Sequence, residues 1–238
     1  YQEYMMEVQN EEDAIFTRDH IKYWEGNHIY DEETEISYIH TAEGDIKPIN
    51  VFCGVDPATD SARRDSDFSV LLTVGVDPNN NVYVLNYIRK RSLPVLGIPG
   101  DAKKGIVDHM FELNNIYRPS LFTIEETSMS RPIFQALMAE MRRRNDFSVK
   151  YAAEKPGNRM SKRDRIQEIL AQRFSIGSVH IKKDMYDLQR EIITFGPRMG
   201  HDDTIDALAY ACKYAHPPKG ILSNKDGSHY RHKPKAKS

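Results

Sequence analysis

The chain has 238 residues, 39% of them hydrophobic, enough for a sizeable core and too apolar for a disordered or collagen-like protein. Its 33 Lys and Arg against 35 Asp and Glu give a formal net charge of −2, which taken whole argues against a strongly basic nucleic-acid module. No apolar run approaches the roughly 18 residues of a membrane span, and YQEYMMEVQNEEDAIF lacks a signal-peptide pattern, so a soluble protein with no membrane partner is expected.

The average charge hides a segregation. Residues 1–48 hold thirteen acids and three bases, a charge of −10, whereas residues 49–238 carry +8. The acidic stretch has mixed periodicity and includes Asp31, Glu32, Glu33 and Glu35, so it reads as a solvated linker after an absent domain. Next, NVFCGVDPA (50–58) reads as a buried strand, FSVLLTVGVD (68–77) as a second and VYVLNYIRKR (82–91) as a third. Pro78, Asn79, Asn80 and Asn81 join the last two as a hairpin. A helix near 101–116 leads to a strand over 120–126, a helix near 131–144 and a strand over 148–153. Helices near 161–174, 184–194 and 202–215, with a short strand over 179–183, complete the order. Residues 217–238 are basic and poor in apolar side chains, and are expected to form a mobile tail. Cys53 and Cys212 are too few for a disulfide framework and read as small core residues.

Three consecutive strands followed by alternating strands and helices predict an α/β fold, a mixed sheet with helices on both faces. A right-handed crossover puts the fourth strand parallel beside the first, away from the second, which gives the strand order 3-2-1-4-5. The switch point between the first and fourth strands is where such sheets place their ligand crevice. Acids stand at both strand ends: Asp56 in GVDP, and Glu125 and Glu126 in TIEET. Alternation lets only one of the two glutamates face Asp56. In GHDDTIDALAYACKY (200–214), helical periodicity puts Ile205, Leu208, Ala209 and Cys212 on the core face, with Asp202, Asp203 and Asp206 along one flank. Asp202 has a plain reading as a helix cap; Asp206, a turn further in, does not. Converging carboxylates coexist around a cation, and oxygen ligands without His or Cys spacing favour Mg²⁺ or Mn²⁺. Two such ions suit phosphodiester hydrolysis. No GxxxxGK[ST] motif occurs, so ATP hydrolysis by this chain is not expected.

GVDPATDSARRDSDFSVLLTVGVD, LFTIEETSMSRPIFQALM and GHDDTIDALAYACKY, in that order, resemble the C-terminal nuclease domain of the large terminase subunit of tailed bacteriophages. The resemblance covers about residues 50–215 and implies an RNase H-like (integrase-like) domain over 49–216, after a linker (1–48) from a missing ATPase domain and before a tail (217–238). It implies cutting of concatemeric viral DNA with two divalent cations, in the cytoplasm of an infected bacterium, alongside a portal and a small terminase subunit. Carried over by position, it makes Asp56 the bridging ligand, Glu125 the strand-four acid and Asp203 the C-terminal acid. Asp67 and Asp206 become auxiliary ligands, with the division of roles between Asp203 and Asp206 left open. His201 reads as a surface residue or a proton-transfer aid.

Basic residues suggest how double-stranded DNA would be held. Lys155, Arg159, Lys162, Arg163 and Arg165 flank Gly157 in a loop opening a helix, and Arg63 and Arg64 follow Asp56. These read as phosphate contacts without base readout. Arg142, Arg143 and Arg144, ending a helix, read mainly as solubilising charges, and Trp24 as packing. A junction resolvase or transposase of the same fold, or a non-catalytic DNA-binding assembly module, are the rival readings.

Overall fold

The computed structural model describes residues 15–58, 68–98, 102–155, 160–196 and 201–219, together with the backbone strands 221–223 and 229–231. The central strands are β4 (Ile46–Asp56), β5 (Phe68–Val76), β6 (Val82–Arg91), β7 (Leu121–Glu125) and β8 (Tyr151–Glu154). β4, β5 and β6 form an antiparallel meander, closed at the second bend by Asp77, whose backbone amide donates to Asn81 and whose carboxylate accepts from the Asn79 and Asn81 amides. β7 lies parallel to β4 on its other side, and β8 lies parallel to β7. The expected order 3-2-1-4-5 is therefore realised as β6-β5-β4-β7-β8.

Helices cover both faces because the strands alternate between two apolar sets. Cys53, Val55, Leu71, Phe122 and Ile124 pack against α1 (Ile106–Tyr117) and α2 (Ser130–Arg144). Phe52, Val70, Leu72, Val74 and Val84 pack on the opposite side against α3 (Lys162–Ser175), α4 (Tyr186–Ile193) and α5 (Asp203–Lys213). Both cysteines are buried in these sets, as expected. Each such fully buried aliphatic side chain contributes about 1.5–3 kcal/mol relative to exposure.

The segment expected as a linker differs most. From residue 15 onward it is folded onto the sheet, and the boundary expected at residue 48 falls inside β4. β1 (Lys22–Tyr23) pairs parallel with β9 (Val179–Ile181), which itself extends the sheet beside β6. β2 (Gly26–Asp31) and β3 (Ile36–Thr41) form a hairpin, and β3 pairs antiparallel with the first residues of β4. Four of the acids that suggested a solvated connector, Asp31, Glu32, Glu33 and Glu35, lie at the hairpin turn. There Asp31 accepts from the Glu33 amide at 2.9 Å and from the Thr34 hydroxyl at 2.7 Å. Beneath the hairpin Trp24, Ile39, Ile49, Val51, Tyr83 and Leu85 make a third apolar cluster, and Trp24 Nε1 donates to Val84 O. Within the segment expected as a mobile tail, β10 (Ile221–Ser223) and β11 (His229–Arg231) pair antiparallel.

Candidate active site

β4 ends in Asp56 and β7 ends in Glu125, and the strands are parallel neighbours with Val55 opposite Ile124. Both acids therefore emerge at one edge of the sheet. Because Cys53, Val55, Phe122 and Ile124 face α1 and α2, alternation turns Gly54, Asp56, Thr123 and Glu125 toward α5. Glu126 takes the other direction, is exposed, and lies 3.9 Å from Lys155 Nζ.

α5 brings a third acid because nothing separates it from β4. A Cβ on Gly54 would stand 2.0 Å from Ala207 O and 2.5 Å from Ala211 N, so the helix backbone rests directly on the strand. Asp206, the residue before Ala207, is completely buried. One carboxylate oxygen each from Asp56, Glu125 and Asp206 lies within 4.8 Å of the others. The start of α5 is held by Glu191, which accepts from the Thr204 amide at 2.7 Å, the Ile205 amide at 2.9 Å and the Thr204 hydroxyl at 3.0 Å. Burial pushes the Glu191 carboxyl up to about 7 despite these donors.

Two cations enter the acid cluster from α3. Ser161 caps that helix: its Oγ accepts from the Asp164 amide at 3.1 Å and donates to Asp164 Oδ2 at 2.7 Å. Lys162 and Arg165, three residues apart, then share a face of the first turn. Lys162 Nζ lies 2.8 Å from Asp202 Oδ1, 3.1 Å from Asp206 Oδ2 and 3.6 Å from Asp56 Oδ2. Arg165 Nη2 donates to both oxygens of Asp206, at 2.6 and 2.8 Å, and its Nη1 stands 3.6 Å from Glu125 Oε1. Its guanidinium also lies over the Tyr210 ring, 4.6 Å from the centroid. Burial raises the carboxyls of Asp56 and Asp206 above the usual range; neighbouring acids add to this, while Lys162, and for Asp206 also Arg165, oppose it. Burial works against the charge on Lys162 too, yet Asp206, Asp56 and Asp202 outweigh it and hold the ammonium well above its ordinary value.

These contacts revise several expectations. Lys162 and Arg165, expected on DNA phosphates, are instead the counter-ions of the carboxylates, and Arg165 is 7% exposed. Asp203, expected to complete the ligand set, lies outside the three-acid cluster: its Oδ2 accepts from the Phe68 amide at 3.2 Å, tying α5 to the start of β5. His201 is exposed, 4.0 Å from Asp203, with its ring edge-on to Phe68. Lys155 and Arg163 are exposed, with Lys155 Nζ 3.9 Å from Glu126 Oε1. Asp67, Arg63, Arg64 and Arg159 lie outside the described residues. Arg143 and Arg144 bind Glu140 on their own helix, in keeping with a surface role. Sequence reading missed Glu191 and the role of Tyr210, whose phenol burial and the Asp206 and Glu125 carboxylates push upward. The only sequence signal for the counter-ion pair was the Lys-x-x-Arg spacing after a Ser cap.

RuvC of Thermus thermophilus, solved with a Holliday junction substrate, is similar at 18% identity over 69% of this chain and 92% of that chain, with a TM-score of 0.38. The HK97 bacteriophage large terminase is similar at 14% identity over 71% of this chain and 40% of that chain, with a TM-score of 0.47. The P22 large terminase nuclease domain follows at 13% identity, 68% and 79% coverage, and a TM-score of 0.44. Terminase structures thus stand among the structural neighbours beside a RuvC structure. No family model and no curated protein matches the chain. Among the described residues, no helix is long and apolar enough to cross a membrane.

Proposed function

We propose that the chain is a metal-dependent endonuclease that hydrolyses the backbone of double-stranded DNA with little regard to sequence. The observation that carries this reading is the convergence of Asp56, Glu125 and Asp206 at the switch point of an RNase H-like sheet. The donor set fits a hard divalent cation such as Mg²⁺ or Mn²⁺: it is made of oxygen alone, and among the described residues the buried Asp56 Oδ2 has no hydrogen-bond partner, only the Lys162 ammonium at 3.6 Å. What two such ions supply when bound is activation of water and stabilisation of the leaving oxygen in an in-line displacement.

The residues divide the remaining work. Asp56, Glu125 and Asp206 hold the ions, with Asp206 in the place first given to Asp203. Arg165 fixes the Asp206 carboxylate by its paired hydrogen bonds. Asp202, at the rim, and Asp67 are available as auxiliary ligands. Asp203 positions the start of β5 against α5. Lys155 and Arg163, with Arg63, Arg64 and Arg159, would track phosphates and give a strongly salt-dependent affinity. The order and content of the three sequence motifs support a role in genome packaging as a terminase nuclease domain. On that reading the partners are an ATPase domain, a portal and a small subunit, and the setting is the infected bacterial cytoplasm. The nuclease unit is residues 49–216 with the strands from residue 22 attached to it.

A plasmid-nicking assay in Mn²⁺ tests the proposal. Cutting by the wild type, its loss in EDTA, and its loss in Asp56→Asn and Asp206→Asn with the fold intact by circular dichroism are the expected results. Wild-type cutting by either variant, or full activity in EDTA, overturns the site. Preference for four-way junctions over linear duplex would instead favour a resolvase, and strand-transfer products a transposase. A folded protein that binds DNA and neither nicks it nor takes up Mn²⁺ would be a binding module.

A further inference from the structure

The three gaps between the clustered carboxylates are not equivalent. Lys162 reaches both Asp56 and Asp206, and also Asp202. Arg165 reaches both Asp206 and Glu125. Among the described residues no ammonium or guanidinium reaches both Asp56 and Glu125. That gap alone lacks a bridging protein cation, and the Asp56 oxygen without a hydrogen-bond partner among the described residues, Oδ2, is the one 3.6 Å from Lys162 Nζ.

The two occupants also differ in how firmly they are held. The Arg165 side chain is 8% exposed and makes a paired contact with a carboxylate that is itself fully buried, so removing it would strand a charge. The Lys162 side chain is 36% exposed and ends in a compact point charge on a flexible stem, at the first residue of α3. Its ammonium can swing to solvent without unfolding anything. An ammonium among three carboxylate oxygens is the arrangement a hard cation would adopt there, at half the charge of a divalent ion.

We propose that Lys162 is a built-in occupant of one of the two cation positions, so that ions bind in order: the first between Asp56 and Glu125, the second only when Lys162 leaves the gap between Asp56 and Asp206. This rests on reading the cluster as a metal centre. Formal charge agrees with the order. Asp56, Glu125, Asp202 and Asp206 against Lys162 and Arg165 leave −2, which one divalent ion balances. A second ion then faces a neutral cluster with a resident cation in its place. A DNA phosphate is an alternative partner for Lys162, so the complete centre assembles when substrate arrives, and free protein stays poorly armed.

Calorimetric titration of the full chain with MnCl₂ in the absence of DNA tests this, using wild type, Lys162→Gln and Lys162→Arg. Wild type and K162R should take up one Mn²⁺ tightly, whereas K162Q should take up two, or bind the second at least tenfold tighter than wild type. In EDTA the thermal midpoint of K162Q should fall below that of wild type, because the acids have lost a counter-ion, and Mn²⁺ should restore it. Equal stoichiometry and affinity in wild type and K162Q would overturn the ordered occupancy and leave the metal centre standing. No Mn²⁺ uptake by any of the three proteins would remove the metal-centre reading itself.

Discussion

At the residue scale, the sharpest contrast is between Asp203 and Asp206. They lie three apart at the start of one helix, yet Asp206 is locked by Arg165 and Lys162 while Asp203 holds the Phe68 amide. Asp206→Asn should abolish uptake of the second Mn²⁺ and, by leaving Arg165 short of its counter-ion, cost on the order of 3–5 kcal/mol of stability in EDTA. Asp203→Asn should keep Mn²⁺ uptake and lower only the unfolding midpoint; titrations and melts of the two variants decide, and the reverse pattern would restore Asp203 as the ligand. A helical wheel shows that both acids share a flank, but it carries no information on which strand lies opposite each, so the choice was not legible. Asp56 and Glu125 were legible because a strand end and a period of two fix their direction. Lys162 and Arg165 were misread because sign alone was visible, while the acids that claim them lie forty or more residues away. His28 gives a pH signature of another kind. Burial pushes its imidazole down to about 4, so the unfolded chain takes up a proton near 6.5 that the folded chain refuses. Stability is then full above pH 6.5 and falls as pH drops toward 4. His28→Gln should flatten this slope, read as the loss in urea midpoint between pH 7 and pH 5; an unchanged slope would show that other groups set it.

At the scale of elements, the site depends on how closely α5 approaches β4. Gly54 is where helix backbone meets strand backbone, and neither can give way as a flexible side chain would. Gly54→Ala should cost about 1–3 kcal/mol by overpacking and, by lifting Asp206 away from Asp56, weaken Mn²⁺ binding as well. A variant that melts lower but binds Mn²⁺ as tightly as wild type would separate the contact from the site. Strands and helices of the central unit were readable from periodicity, since β5 and β6 are buried on alternating faces and α5 has a continuous apolar stripe. The β2–β3 hairpin was not, because its acidic turn dominates the composition of a stretch whose strands are only six residues each. Asp31 uses its charge locally to shape that turn, a use that a charge count reads as solvation.

At the scale of the whole molecule, the hairpin layer is part of the core rather than an appendage. Trp24 and Ile39 cover Ile49, Val51, Tyr83 and Leu85, all of which would meet water without them. Deleting residues 1–45 should therefore lower stability by several kcal/mol, since it removes the buried Phe16, Ile21, Trp24 and Ile39 and uncovers the four side chains beneath. Denaturant unfolding checks this, and an unchanged midpoint would return the segment to linker status. The formal charge of −2 likewise misrepresents the part that acts, since −10 belongs to residues 1–48. Neutralising Lys155 and Arg163 together should weaken binding equally for unrelated DNA sequences and reduce the slope of log affinity against log salt by about 2. Loss on one sequence only would reveal base readout.

β4 gives the centre a temporal character that static contacts do not display. From Phe52 to Val55 it is laddered to β5 on one side and β7 on the other, with α5 lying across it at Gly54. Those amides can trade hydrogen for deuterium only when the sheet comes apart, so their exchange should run at the pace of global unfolding. Lys162, by contrast, moves by bond rotations at a helix end. The fixed carboxylate on β4 and the ammonium that guards it thus belong to one centre but keep time on very different clocks.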